Sequence, residues 1–252
     1  MPGTDPTLKD EVVIVGAHHD HLGTTSDYGC KAAGGNSICN GADDNGTGAI
    51  AVLALARALS KLQGQNRRTL VFMMFGAEEK GLVGSKHYVQ NPLYPLSKTV
   101  YMINIDMIGD SSGGKVSALG ASRSQLATQW INDAAGKYGV SATPTQSAGS
   151  GSDHYHFALS QVPYVFFHTG ISACYHATCD TVEKIYYPEY AKITRAIAHF
   201  MWTLSQSDQS PRSDFVAPTS CAALDTDWKA FQLYWDHQPP GGPTPGQGPA
   251  LP

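Results

Sequence analysis

Five segments of the chain are almost continuously apolar, and polar or turn-forming residues bound each of them. They span residues 11–17, 68–77, 99–109, 115–121 and 163–170. Apolar residues fill both alternating sets of positions in these runs, which is typical of strands covered on both faces. The pattern therefore predicts buried strands of a mainly parallel sheet.

Three segments between or after these runs have the spacing of helices. They span residues 46–62, 122–139 and 188–206, and the first is rich in Ala and Leu and follows two candidate cap residues, Asp44 and Asn45. Strands that alternate with helices predict an α/β fold, with a twisted, mainly parallel central sheet flanked by helices on both faces.

The composition changes near residue 207. We expect one domain over residues 1–206 and an extension over 207–252, because Pro, Gly and Ser become frequent there. Aromatic residues make the segment 221–236 apolar enough to pack on the domain. From about residue 237 the Pro- and Gly-rich sequence predicts a flexible tail.

Charge and length exclude some classes of protein. The 252 residues carry a formal net charge of −4 without a block of Lys or Arg, so we expect no nucleic-acid partner. We also expect no membrane span, because no apolar run is long enough. The first residues lack the basic start and apolar stretch of a signal peptide, so any export signal would lie outside this sequence.

Four of the five cysteines form two close pairs, Cys30 with Cys39 and Cys174 with Cys179, which leaves Cys221 over. The spacing fits two local disulfides and one odd thiol, or five reduced cysteines. Oxidised pairs would indicate a secreted or periplasmic protein.

Side chains that bind metals or transfer protons follow the predicted strands. They are His18, His19, Asp20, His21, Asp43, Asp44, Glu78, Glu79, Asp106, Tyr175 and His176. Ligands of open α/β sheets bind beyond the carboxyl ends of the strands, so we expect these side chains to converge. Taken alone, the paired aspartates could cap a helix and the paired glutamates could lie in a solvated loop. Asp106, inside an apolar run, would be costly to bury without a partner.

Charge counting indicates two divalent metal ions. Three carboxylates (Asp43, Glu79 and Asp106) and one hydroxide balance a charge of +4. Each ion then has one imidazole and one terminal carboxylate, and it shares Asp43 and the hydroxide with the other ion. Four mixed N/O ligands favour Zn²⁺, with Co²⁺ or Mn²⁺ as possible substitutes.

Six motifs, in this order, resemble those of the M28 family of zinc aminopeptidases: GAHHDHLG, NGADDNGTGAIAV, FGAEEKGLVGS, INIDMIG, SGSDHYHF and YHATCDT. The resemblance covers roughly residues 11–206. It implies a doubly wound sheet of the phosphorylase/hydrolase-like type, a peptidase catalytic domain and a pair of zinc ions.

The resemblance also implies a role for particular residues. His18, Asp43 and Asp106 would bind one zinc ion, and Asp43, Glu79 and His176 would bind the other, with Asp43 shared between them.

The same resemblance assigns the remaining chemistry. Glu78 would be the general base, Asp20 would orient the first ligand histidine, and Tyr175 would help to stabilise the oxyanion. The peptide bond between Asp43 and Asp44 corresponds to one that is cis in family members. Some secreted members have a disulfide where Cys174 and Cys179 bracket YH.

Other polar residues of the motifs receive lesser roles. Asp153 and His154 are interpreted as residues behind the ligands or in the pocket wall. His19, His21, His156 and His168 are interpreted as structural.

One departure from the family concerns the N-terminus. The first predicted strand begins about ten residues into the sequence. Family members usually carry a helix and edge strands before it, so we expect this part of the usual fold to be absent here, in a shortened or a naturally minimal chain.

The leading hypothesis is a monomeric aminopeptidase that removes N-terminal residues, apolar ones first, from peptides with a free N-terminus. A carboxypeptidase or a dipeptidase on the same dinuclear core is the first alternative. A glutaminyl cyclase has a similar fold but uses one zinc ion, so the full ligand set argues against it. A catalytically inactive relative that serves as a binding domain is the alternative from another class.

Overall fold

The computed structural model describes residues 1–218 apart from residues 28, 34, 35 and 148. The segment 221–236, Cys221 and the Pro- and Gly-rich tail therefore lie outside the described residues. The strands are β1 (Val12–His18), β2 (Gly23–Thr24), β3 (Ile38–Cys39), β4 (Thr69–Phe75), β5 (Thr99–Ile105), β6 (Lys115–Leu119), β7 (Ser141–Pro144) and β8 (Tyr164–His168). The helices are α1 (Gly48–Ser60), α2 (Val83–Gln90), α3 (Gln125–Lys137), α4 (His154–Leu159) and α5 (Tyr187–Gln206).

Six strands form the central sheet in the order β4–β1–β5–β8–β6–β7, and β2 pairs with β3 apart from it. All neighbours in the central sheet are parallel except β6 and β8, which are antiparallel. The predicted α/β fold with a mainly parallel sheet is confirmed.

The continuous apolar runs arise because both faces of the sheet are covered. Every residue of β1 is buried. Val13 and Val15 face a core shared with α1, α3 and α5, while Val12 and Ile14 face a second core that includes Phe157 of α4. Alternate strand residues point to opposite faces, so a strand between two layers of helix needs apolar residues at every position.

The elements that were not predicted are short or polar. Helix α2 buries only Ser85 among its residues, and α4 has six residues. Strand β7 is a four-residue edge strand that ends in Pro144. Such segments lack a long hydrophobic period, so their sequence alone gives little signal.

Residues beyond the predicted domain boundary at 206 pack on the same body. The Arg212 guanidinium donates hydrogen bonds to the carbonyl oxygens of Leu96 at 2.6 Å and Thr99 at 3.3 Å. The Asp214 carboxylate accepts from Ser124 Oγ at 2.6 Å and from the Leu126 backbone N–H at 3.0 Å, at the start of α3.

The two predicted cysteine pairings are disulfides in the structure, Cys30–Cys39 and Cys174–Cys179. Such bridges are characteristic of proteins in oxidising compartments. Among the described residues, the helices include none that combines the length and apolar character needed to cross a membrane.

Candidate metal centre

The carboxyl edge of the sheet brings five ligand-type side chains together. His18 ends β1, Asp106 follows β5 directly, and Glu79 lies four residues after β4. Asp44 lies in the tight turn before α1, and His176 lies in the loop after β8. This is the place where an open α/β sheet binds its ligands.

The side chains form two groups that share one carboxylate. His18 Nε2 lies 3.3 Å from Asp44 Oδ1 and 3.4 Å from Asp106 Oδ1. His176 Nε2 lies 3.3 Å from Asp44 Oδ2 and 3.4 Å from Glu79 Oε2. The two oxygens of Asp44 thus face different histidines, each accompanied by its own second carboxylate.

These separations fit zinc. Oxygen and nitrogen ligands about 2.0–2.1 Å from a tetrahedral ion are separated from each other by about 3.3–3.4 Å. Asp106 Oδ1 is buried and accepts no hydrogen bond from the described residues. Two imidazoles with three carboxylates are also the donor types that zinc prefers. The residues present therefore fit metal ions on both sides of Asp44.

The prediction that Asp43 supplies the shared carboxylate needs correction by one residue. Asp43 Oδ1 accepts hydrogen bonds from the Gly109 backbone N–H at 2.8 Å and Thr47 Oγ1 at 3.1 Å. Its side chain is thus used to join the turn to the segment after β5. Asp44 has extended backbone angles, φ −107° and ψ 92°. Neighbouring side chains of a non-helical turn diverge, so only Asp44 faces the two histidines.

The cis peptide bond also lies one residue later than predicted, between Asp44 and Asn45. The Asn45 side chain fixes this turn by accepting from the Gly48 N–H at 2.9 Å and donating to the Ile105 carbonyl oxygen at 3.0 Å. The start of α1 and the end of β5 are thereby tied together beside Asp44.

Two further carboxylates hold the loops that carry the site. Asp180 accepts from the backbone N–H groups of Asp43 at 2.9 Å and Asp44 at 3.0 Å. Asp180 directly follows the Cys174–Cys179 disulfide, so one short segment supports both His176 and Asp44. Asp180 was not among the predicted site residues.

Asp20 plays the equivalent part on the other side. Its two carboxylate oxygens accept from the backbone N–H groups of Glu78 at 3.1 Å and Glu79 at 3.2 Å. The predicted orientation of His18 by Asp20 takes a different form, because His18 Nδ1 is 3.2 Å from the Asp20 backbone oxygen and 3.8 Å from its carboxylate.

Asp106 is held by the motif SGSDHYHF. Ser152 Oγ donates to Asp106 Oδ2 at 2.7 Å and accepts from Asn104 Nδ2 at 2.7 Å. This series of hydrogen bonds holds Asp106 with its Oδ1 directed toward His18. Asp153 and His154, the next two residues of the motif, are fully buried. Burial raises the pKa of the Asp153 carboxyl to about 7.

Glu78 lines a cleft at the carboxyl edge of the sheet. It lies beside the two groups of ligand-type residues, and apolar side chains of Met107, Phe166 and Ile171 line the same cleft. Burial, and then the nearby Asp106 carboxylate, raise the pKa of Glu78 to about 9.

Tyr175 lines the same cleft. Its ring stacks on that of His176, with the ring centroids 3.8 Å apart. Burial raises the pKa of the Tyr175 hydroxyl, so the group stays a hydrogen-bond donor at neutral pH.

Left-handed backbone conformations cluster around the site. Ala77, Met107 and His176 have φ values of 56°, 55° and 56°. These residues precede Glu78, follow Asp106 and carry an imidazole ligand. Such conformations are uncommon outside glycine and are held in place by their surroundings.

His21 lies inside the site, although the sequence reading interpreted it as structural. Its Nδ1 is 2.9 Å from Glu79 Oε1 and 4.0 Å from Asp44 Oδ2. Its position directly after Asp20, in a loop already assigned to the site, was the available signal. His19, by contrast, turns to the backbone oxygen of Phe75 at 2.7 Å.

The chain belongs to peptidase family M28, whose model matches residues 1–201. The leupeptin-inactivating enzyme 1 of Streptomyces exfoliatus is 30% identical in a 234-residue alignment that covers 83% of this chain and 48% of that protein. Aminopeptidase YwaD of Bacillus subtilis is 30% identical in a 186-residue alignment that covers 69% of this chain and 37% of that protein. The chain therefore spans about half, or less, of the length of these relatives.

Solved structures of two aminopeptidases have a similar fold. The zinc aminopeptidase BSAP from Bacillus subtilis superposes with a TM-score of 0.66 at 26% identity, over 84% of this chain and 51% of BSAP. An aminopeptidase from Aneurinibacillus sp. strain AM-1 has a TM-score of 0.64 at 25% identity, over 87% of this chain and 48% of its own.

Proposed function

We propose that this chain is the catalytic domain of a zinc-dependent aminopeptidase. The observation that carries the proposal is the division of the Asp44 carboxylate between two histidine–carboxylate groups, at separations that suit tetrahedral zinc. The names of the relatives support it, since they include aminopeptidases and a zinc aminopeptidase.

Two ions would bind, one on each side of Asp44. His18, Asp44 and Asp106 would hold the first, and Asp44, Glu79 and His176 the second. Bound zinc supplies Lewis acidity toward a carbonyl oxygen and lowers the pKa of coordinated water. Cobalt or manganese would suit the same donors.

Glu78 would act as the general base. Its carboxyl belongs to neither ligand group and lines the cleft, so it can accept the proton of an attacking water and deliver it to the leaving amine. Tyr175 would donate a hydrogen bond to the developing oxyanion.

The cleft favours peptides with a free, positively charged N-terminus. Bound zinc ions would neutralise the ligand carboxylates, which leaves Glu78 as the carboxylate of the cleft that can attract an ammonium group. Met107, Phe166 and Ile171 give the same cleft an apolar wall, which suits an apolar first side chain. The disulfides support action outside the cytosol, and we propose a monomer as the working form.

The test combines metal analysis with hydrolysis of leucine p-nitroanilide before and after chelation. We expect two zinc ions per chain and activity that chelation removes and zinc restores. Glu78→Gln should keep both ions and lose on the order of 10²–10⁴-fold in kcat. Two ions without release of p-nitroaniline, but with cleavage at a peptide C-terminus, would instead indicate a carboxypeptidase. Failure to bind any metal would refute the proposal.

A further inference from the structure

We infer that His21 is a positioning residue for the metal centre: it holds one oxygen of Glu79 and thereby directs the other toward His176. This inference rests on the proposed function, because it assumes that Glu79 is a zinc ligand. It concerns a histidine of the first motif to which neither the resemblance nor the charge count gave a role.

The contacts of Glu79 separate its two oxygens. Oε1 lies 2.9 Å from His21 Nδ1, and Oε2 lies 3.4 Å from His176 Nε2. Both ring nitrogens of His21 and Oε1 of Glu79 are buried, and none of the three makes a hydrogen bond of ordinary geometry to a described residue. The approach of Nδ1 to Oε1 at 2.9 Å is an ion-pair contact, and Glu79 is nearer to Nδ1 than Asp44, whose Oδ2 lies 4.0 Å away. Glu79 Oε1 is therefore the acceptor closest to the unused nitrogen Nδ1.

The distances distinguish a hydrogen-bonding role from direct binding of the ion. A separation of 2.9 Å is the usual length of an N–H···O hydrogen bond. Two ligands of one tetrahedral zinc ion stay about 3.3 Å apart or more. The His176–Glu79 pair meets that spacing and the His21–Glu79 pair does not. We therefore place His21 in contact with Glu79 rather than with the metal ion.

The chain leaves the His21 ring little freedom. Asp20 before it is bound to the backbone of Glu78 and Glu79, and Leu22 after it is buried against the Cys30–Cys39 bridge. The ring also occupies space that Gly41 leaves open, because a Cβ at Gly41 would lie 2.6 Å from it.

The surroundings of the His21 ring are acidic. The carboxylates of Asp44, Glu79 and Asp180 attract it electrostatically. The His21 and His176 rings make an edge contact, with their centroids 6.1 Å apart. A donor placed among these acceptors stabilises one orientation of Glu79, since carboxylate ligands are themselves oriented by hydrogen bonds.

The test measures the zinc affinity of each site. Bound metal is first removed with a chelator, and zinc is then titrated in while a chromogenic chelator competes for it. It compares wild type with His21→Ala, His21→Asn and the neighbouring control His19→Ala. Asn places an amide N–H near the position of Nδ1. We expect His21→Ala to weaken one of the two sites by about 10–100-fold and to leave the other unchanged. His21→Asn should recover most of this loss, and His19→Ala should bind both ions as wild type does.

Three results would overturn the inference. One is full affinity for both ions in His21→Ala, with wild type binding two; this would leave the proposed function intact. Another is an equal loss at both sites together with a lower melting temperature, which would indicate a general structural role. If wild type binds no zinc, the proposed function and this inference both fail.

A crystal structure of the zinc-loaded wild type provides a second measurement that does not depend on the folding of a variant. His21 Nδ1 within hydrogen-bonding distance of Glu79 Oε1, with Oε2 on the metal, would support the inference. A His21 nitrogen bound to the metal, or a ring turned away from Glu79, would contradict it.

Discussion

The two halves of the candidate metal centre are built differently. His18 and Asp106 stand at the ends of two neighbouring central strands, and their side chains are only 1% and 7% exposed. His176 belongs to a loop bracketed by a disulfide, and its side chain is 23% exposed. The first half is fixed by the sheet, whereas the second depends on local contacts, namely the Cys174–Cys179 bridge and the His21 contact with Glu79. We expect perturbations to affect the second half first.

The largest effect is expected where the two halves meet. Asp44→Asn should weaken both groups at once and lower kcat/KM by on the order of 10³-fold. Asp43→Asn is the matched control, because Asp43 points to Gly109 and Thr47. Zinc content and p-nitroanilide kinetics would check both variants. Full loss in Asp43→Asn with little loss in Asp44→Asn would contradict the assignment.

Removal of the Cys174–Cys179 bridge should affect the two halves of the site unequally. In Cys174→Ser/Cys179→Ser we expect the His176 side to release zinc first, so that the zinc content falls from two ions toward one. The short loop closed by this bridge predicts a loss of about 2 kcal/mol in the free energy of unfolding. Zinc analysis after dialysis, together with urea unfolding, measures both quantities.

A Cys30→Ser/Cys39→Ser variant is the comparison for this experiment. If it released the same ion to the same extent, the bridge around His176 would have no special role.

Asp180→Asn should have a smaller effect that reaches both halves, because Asp180 supports the turn that carries the shared Asp44. One carboxylate oxygen becomes an NH₂ group, which cannot accept from the backbone of Asp43 or Asp44, so the turn that carries Asp44 is held by one bond instead of two. We expect zinc affinity to fall by about 10-fold, the low end for residues behind a ligand.

Asp20→Asn tests the corresponding support of Glu78 and Glu79. It should affect kcat more than zinc content, since it displaces the proposed base as well. A Glu78 position unchanged in the crystal structure of this variant would argue against that support.

The smallest effect belongs to a region remote from both halves. Asp214→Ala removes the carboxylate that accepts from Ser124 and Leu126 at the start of α3. We expect a loss of about 1 kcal/mol, as for other helix caps, and unchanged kcat/KM. Thermal unfolding should shift by about 2–4 °C. A fall in activity of the folded protein would show that the segment after residue 206 also serves the cleft.

The parts of the molecule that could be predicted follow from packing between two layers. Strands β1, β4, β5, β6 and β8 were predicted from their continuous apolar runs; β1 and β5 are buried along their whole length, whereas β4 at the edge of the sheet is only partly covered. His18, Glu79, Asp106 and His176 were predicted as ligands from motifs, and the structure brings all four together. Asp43 and Asp44 differ only in the direction of their side chains within a turn. The pattern of apolar and polar residues does not indicate which of the two faces the histidines.

Other residues escaped prediction for related reasons. The partners of Asp180 and His21 are distant in the sequence, and a lone aspartate or histidine has many ordinary roles. Helices α2 and α4 are too short for a hydrophobic period. These features depend on tertiary contacts, which a single sequence does not display.

The left-handed residues Ala77, Met107 and His176 bear on how the protein responds to heat. Each such conformation costs on the order of 1–3 kcal/mol and persists only while its surroundings hold it. Segments of this kind open at lower free energy than the strands that anchor them. Heating should therefore inactivate the protein reversibly before the sheet melts, and amide hydrogen exchange should be faster at residues 77 and 176 than along strands β1 and β5.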